Sequence, residues 1–109
     1  MNYIMIKCLK SDNELIEQAT NSFNDVDVIE EDGFSGEDFA MIAIPIAQLT
    51  LEVIDFICTH LTNQKKDEDN NNVQEKRVLV SPEGEVTLTG YSQTEVVKIL
   101  KGLGFRYDD

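Results

Sequence analysis

The chain has 109 residues, 41% hydrophobic and 28% charged, enough for one domain with its own core. Its apolar residues recur in blocks, which excludes wholesale disorder. Twenty-one acids against nine bases leave a net charge of −12, a surface that repels nucleic-acid phosphates and anionic bilayers. Basic protein surfaces and cations are its natural counterparts, and charge of this size can also serve solubility alone.

Residues 3–9 set Ile4, Ile6 and Cys8 against Tyr3, Met5, Lys7 and Leu9, the alternation of a strand. Both faces are mostly apolar, which predicts an interior strand. Ser11 and Glu14 fit a capping box, followed by a helical stripe of Leu15, Ile16, Ala19 and Phe23. Asn24-Asp25 end that helix, and Val26 to Ile29 read as a second strand. Glu30 to Asp38 read as a loop with two glycines and five acids, and Phe39 to Ile44 as a third strand. Pro45 blocks that strand and opens a helix over 46–63, with Leu49, Val53, Ile54, Ile57, Cys58 and Leu61 on its apolar face. Glu52 and Asp55 interrupt the apolar stretch 39–61, and Pro45 divides it, which argues against a bilayer span.

Residues 64–75 hold little that can pack and read as a flexible internal loop. A hairpin follows, Lys76–Ser81 and Glu85–Thr89 around Pro82-Glu83-Gly84, with Val78, Val80, Val86 and Leu88 turned inward. Ser92 and Glu95 repeat the capping box for a last helix that buries Val96, Val97, Leu100 and Leu103. Gly102 and Gly104 offer it a stop, and Phe105 and Tyr107 fold back onto the domain. The expectation is a single α+β domain over 1–109 in the order β-α-β-β-α-β-β-α. Its sheet has four to five strands, mostly antiparallel, with three helices packed mainly on one face.

Catalytic, cofactor-binding and metal-binding residues are all expected to be none. Cys8 and Cys58 make neither a zinc site nor a disulfide framework, and read as free thiols of a reducing cytoplasm. The N-terminal apolar run is too short for a signal peptide, so the expected location is cytoplasmic. His60 stands alone near a helix end, without neighbours at metal-ligand spacing. Gly33-Phe34-Ser35-Gly36 misses the nucleophile elbow, because its second glycine comes one residue early and a strand follows. No phosphate-cradling glycine motif occurs. Asp67, Asp69 and Asn71 have the first spacings of a calcium loop, but Asn72 and Val78 stand where glycine and glutamate belong.

Between Asp25 and Asp38 lie seven acids and no base. Paired carboxylates can do chemistry, yet none here sits in an apolar setting that would raise its pKa. A solvated loop or a docking patch is the fitting reading. Phe34 amid those acids serves either as an interface anchor inside a charged rim or as a side chain folded onto the core. Glu30, Glu31, Asp32, Phe34, Glu37 and Asp38 are therefore the candidate partner-binding residues.

Several segments together carry a family likeness. They are the loop E-D-G-F-S-G-E-D-F before an apolar strand, the long apolar helix ending near Leu61, and the pair Lys65-Lys66. The hairpin R-V-L-V-S-P-E-G-E-V-T-L-T-G-Y and the helix S-Q-T-E-V-V-K-I-L-K-G-L complete the set. Over nearly all its length the chain resembles the small effector-associated constant component domains of bacterial conflict and signalling systems. The resemblance implies an adaptor that couples effector proteins through domain contacts, without catalysis. The expected function is thus a non-catalytic module that docks a protein partner with a basic surface, binding neither nucleic acid nor membrane, with homo-oligomerisation left open. An immunity or inhibitor protein that neutralises a basic toxin such as a nuclease is the alternative within the binding class. A metal-assisted hydrolase using the acidic clusters is the enzyme alternative.

Overall fold

A computed structural model of the chain describes residues 2–32, 38–63, 66–67, 72–73 and 77–107. The elements are β1 (Asn2–Leu9), α1 (Asn13–Ser22), β2 (Asp27–Asp32), β3 (Asp38–Ile46), α2 (Leu51–Leu61), β4 (Lys66–Asp67), β5 (Asn72–Val73), β6 (Val78–Ser81), β7 (Gly84–Val86) and α3 (Gln93–Gly102). Five strands form an antiparallel sheet in the order β2-β3-β1-β6-β7, and β4 and β5 pair separately. The α+β class, the sheet and the three helices are as expected. β1, α1, β2, β3, α2 and β6 follow the split β-α-β, ferredoxin-like connectivity, to which β7 and α3 are appended.

Strand alternation decides which side chains meet the helices. Ile4, Ile6 and Cys8 of β1 and Ala40, Ile42, Ile44 and Ile46 of β3 join one buried cluster with Leu15 and Ala19 of α1. Val53, Ile54, Ile57 and Leu61 of α2, with Val96 and Leu100 of α3, belong to the same cluster. Each fully buried Leu, Ile or Val stabilises the fold by about 1.5–3 kcal/mol relative to exposure. No odd-numbered residue of β1 or β3 is part of it; even the buried Ala43 lies outside. The domain therefore has two layers, with all three helices on one face of the sheet.

Local chemistry moved several boundaries. Asp12, not Ser11, caps α1: its carboxylate accepts the Leu15 N–H at 3.3 Å. Pro45 does not end β3, which runs on to Ile46 with Pro45 opposite Tyr3. β2 begins at Asp27, opposite Ala43, so beyond that rung β3 has no neighbour on its far side. A proline fits there because its missing N–H deprives no partner strand. α2 then starts at Leu51, capped by the Thr50 hydroxyl. The loop expected over 30–38 is shorter, since Glu30, Glu31 and Asp32 pair with Ala40, Phe39 and Asp38.

In β6 the inward residue is Leu79, not Val78 and Val80. The run Val78-Leu79-Val80 is apolar throughout, and only its pairing, Leu79 opposite Ile6, fixes which residue faces the helices. Within the stretch expected to be a flexible loop, 66–67 and 72–73 form a two-rung ladder; its other residues lie outside those described, apart from this ladder. The second capping box forms as expected, with both Ser92 and Glu95 engaged. The α3 C-terminus is a Schellman motif: Gly104, at φ +101°, donates to the Lys101 carbonyl and Phe105 to that of Leu100. The tail folds back, with Phe105 and Tyr107 against the core and the Arg106 carbonyl accepting the Leu49 N–H at 2.6 Å.

Candidate functional site

The face of the sheet away from the helices is built from the odd-numbered positions of β1 and β3. Their register sets out four rows. Pro45 stands beside Tyr3; Asp27, Ala43, Met5, Val80 and Glu85 form the second row; Ile29, Met41, Lys7 and Val78 the third; and Phe39 and Leu9 lie in the fourth, opposite Glu31. Tyr3 is 48% exposed and Ile29 50%. Met5, Leu9, Phe39, Met41, Val78 and Val80 are only half-buried. A strand facing solvent on one side ordinarily alternates apolar with polar, so this face is apolar well beyond what two layers require. Partly exposed apolar side chains gathered on one face among the described residues make that face a candidate interaction surface.

Charge frames the face. Lys7, near its centre, bonds Glu85 at 3.2 Å and lies 4.3 Å from the centre of the Phe39 ring. Its ammonium thereby sits over an aromatic ring while its charge is neutralised within the chain. Asp27 and Glu85 stand exposed at the two ends of their row. The sheet edges are guarded: β2, with the sequence Asp-Val-Ile-Glu-Glu-Asp, is acidic, and β7 has three residues. Charged and short edge strands discourage the addition of another strand.

Of the six sequence candidates, those among the described residues fall on β2 and at the start of β3. Glu30 is exposed and bonds Lys10 at 3.4 Å, while the Lys10 N–H donates to the Asp38 carbonyl. Lys10 thus stands inside a patch that reads as purely acidic along the chain. Glu31 holds the register position opposite Phe39, and Asp32 the one opposite Asp38. Phe34 and Glu37 lie outside the described residues. The apolar members of the face, Tyr3, Ile29 and Met41 among them, were missed as site residues. The signal for Tyr3 was present in the apolar character of both faces of 3–9, whereas Ile29 and Met41 joined it only through the sheet register.

On the helix side is a group no motif announced. Arg77 is 4% exposed. Its Nε donates to Asp12 Oδ2 at 2.7 Å, its Nη2 to Asp12 Oδ1 at 2.9 Å and its Nη1 to the His60 carbonyl at 3.2 Å. One guanidinium thus ties the start of β6 to the N-cap of α1 and the end of α2. Burial pushes the Cys8 thiol up to about 11, helped by the nearby Asp12 carboxylate and opposed by Arg77. Burial, then Asp55, raises Cys58 as well. Both thiols are protonated at neutral pH, which deprives them of nucleophilic strength. The His60 ring packs on Phe56 at 4.5 Å between centroids. Among the described residues no group of three His, Cys, Asp or Glu side chains could hold a metal ion, and no helix is long and apolar enough to cross a membrane. No protein-family model, curated protein or solved structure matches the chain.

Proposed function

We propose that this protein is a non-catalytic, adaptor-type binding module of the reducing cytoplasm. It docks a protein partner through the sheet face that the three helices leave uncovered and the acids around that face. The observation that carries the reading is the outward apolar face of β1 and β3, centred on Tyr3, Met5, Met41 and Ile29, outside the helix-covered core. Two supports come from chemistry. The thiols are raised out of the nucleophilic range, and the net charge of −12 favours a partner with basic margins over any nucleic acid. Glu30, Glu31, Asp32 and Asp38, whose register positions lie at one end of the sheet, then act as an acidic margin there, and Asp25 and Asp27 at the other end, with Phe34 and Glu37 kept as sequence candidates for the same contact.

The test is capture of partners from the native host, followed by titration with the purified partner. Ile29→Ser should weaken that complex by about tenfold or more, as truncation of a central apolar contact does, without lowering the melting temperature. Raising salt should slow association. A partner that binds Ile29→Ser as tightly as the parent protein, with no salt dependence, would remove this surface and this reading together.

A further inference from the structure

The face is not equally suited to docking along its length. At the end where β1 begins, two open hollows flank one half-exposed aromatic, Tyr3. The first, of about 380 Å³, is lined by Met5, Val80, Leu103 and Phe105 beside Tyr3. Its wall is largely apolar because the Schellman turn after α3 brings Leu103 and Phe105 round to the β1–β6 end of the sheet. The second, of about 560 Å³, lies on the other side of Tyr3 and is walled by Phe23, Asp25, Asp27 and Pro45. Its lining contains two carboxylates and no cation. Both volumes fall in the range of roughly 300–1,000 Å³ typical of ligand clefts. One hollow thus asks for an apolar group and its neighbour for a cation, with a tyrosine between them. Tyrosine is enriched among the residues that dominate binding energies.

We infer that the partner enters here with a polypeptide segment that places a large apolar side chain in the Leu103–Phe105 hollow and a Lys or Arg in the Asp25–Asp27 hollow, astride Tyr3. The inference rests on the binding-module reading and narrows it to one end of the face and one chemistry. Charge complementarity selects the occupant. A second copy of this chain would bring further acids against Asp25, Asp27 and Glu85, and a nucleic acid would bring phosphates to the same wall. Strand addition at the β2 edge would have to pair with an acidic strand. The opposite end of the face already spends its nearby cation, since Lys10 bonds Glu30.

The experiment selects binders to the full chain from a displayed library of random twelve-residue peptides, then titrates the selected synthetic peptides by amide NMR. The expected result is enrichment of a basic residue close to a large apolar one, with shifts concentrated at Tyr3, Asp27, Val80 and Phe105. Tyr3→Ser should cost about tenfold or more in affinity. Asp27→Lys, at an exposed position, should abolish the preference for basic peptides without loss of folding, and so tests the site even where Tyr3→Ser is destabilised. Shifts confined to Glu30, Lys10 and Asp38, with both variants binding normally, overturn this inference and leave the binding-module reading standing. A library that yields no peptide above background counts against both. Concentration-dependent dimers in sedimentation, lost on Tyr3→Ser, would assign the hollows to a second copy and overturn the choice of partner.

Discussion

Arg77→Met should be the most damaging single substitution of a charged residue among those described. The parent guanidinium holds both Asp12 oxygens, at 2.7 and 2.9 Å, and the His60 carbonyl at 3.2 Å, with the Arg77 and Asp12 side chains only 5% and 8% exposed. Methionine fills much of the volume but leaves the Asp12 carboxylate buried, with the Leu15 amide as its remaining described partner. Breaking a buried pair in this way costs about 3–5 kcal/mol. A domain of this length has roughly 5–15 kcal/mol in all, so from about a fifth to the whole of the stability is at stake. The melting temperature should fall by roughly 12–40 °C. Urea unfolding of Arg77→Met, Asp12→Asn and the double variant completes the cycle. The double variant should lose about 1–3 kcal/mol less than the two single losses combined, since neither charge is then stranded. A cost below about 1 kcal/mol for Arg77→Met, the level of an exposed ion pair, would refute the burial and with it the three-way tie between β6, α1 and α2. The uncovered face lies on the other side of the sheet, so the remaining folded fraction should bind peptides normally.

The other predictions test the phase of the sheet, the caps and the thiols. Leu79→Ala should cost about 2–5 kcal/mol and Val78→Ala within about 1 kcal/mol, because only Leu79 faces the helices; equal costs in urea unfolding would mean the β6 phase is wrong. Ser92→Ala should lose about 1 kcal/mol by thermal unfolding through the α3 capping box. Native Cys8 should resist a thiol reagent at pH 8 for as long as the protein stays folded, while the half-exposed Cys58 reacts slowly. The Cys8 pKa is raised from 9.0 to about 11 in the folded chain. Its contribution to stability is therefore complete below pH 9 and is lost as pH rises towards 11. Comparing urea midpoints of the parent and Cys8→Ala from pH 8 to 11 should show that loss only in the parent. Replacing Glu30, Glu31 and Asp32 together by lysine should slow association with the purified partner and leave the fold intact.

The order of elements was legible from hydrophobic period, and the bounds of α3 from its own punctuation, with Ser92 at the N-cap and Gly104 closing the helix; the Thr50 cap of α2 went unread because Pro45 offered an earlier start. What could not be read depended on partners distant in sequence. Pro45 reads as a strand terminator until β2 is known to stop short of it. Val78-Leu79-Val80 has no alternation to read, and the choice of inward side chain comes from β1, some seventy residues away. Ser11 has the better capping motif, yet Asp12 wins because the same carboxylate also receives Arg77, 65 residues on. The acidic cluster was visible in sequence, but not that Lys10 enters it.

The two unusual features of the surface explain one another. The acids of β2 lie along a sheet edge, where their first effect is to prevent another strand from pairing. Such protection matters most for a domain that also presents an apolar sheet face, since an open edge beside an open face is a template for aggregation. Under the proposed binding role, acids at that edge suppress edge pairing, repel a second copy, and leave the face free for a partner that brings its own basic residues. The same charges would then act as a guard and as a selector. Replacing Glu30, Glu31 and Asp32 by threonine, which removes the charge and keeps strand propensity, should have two separable effects: slower capture of the cognate partner, and a new tendency of the protein to self-associate. A threonine-substituted β2 that stayed monomeric while its partner binding slowed would show that the edge needs no guard, and that these acids serve recognition alone.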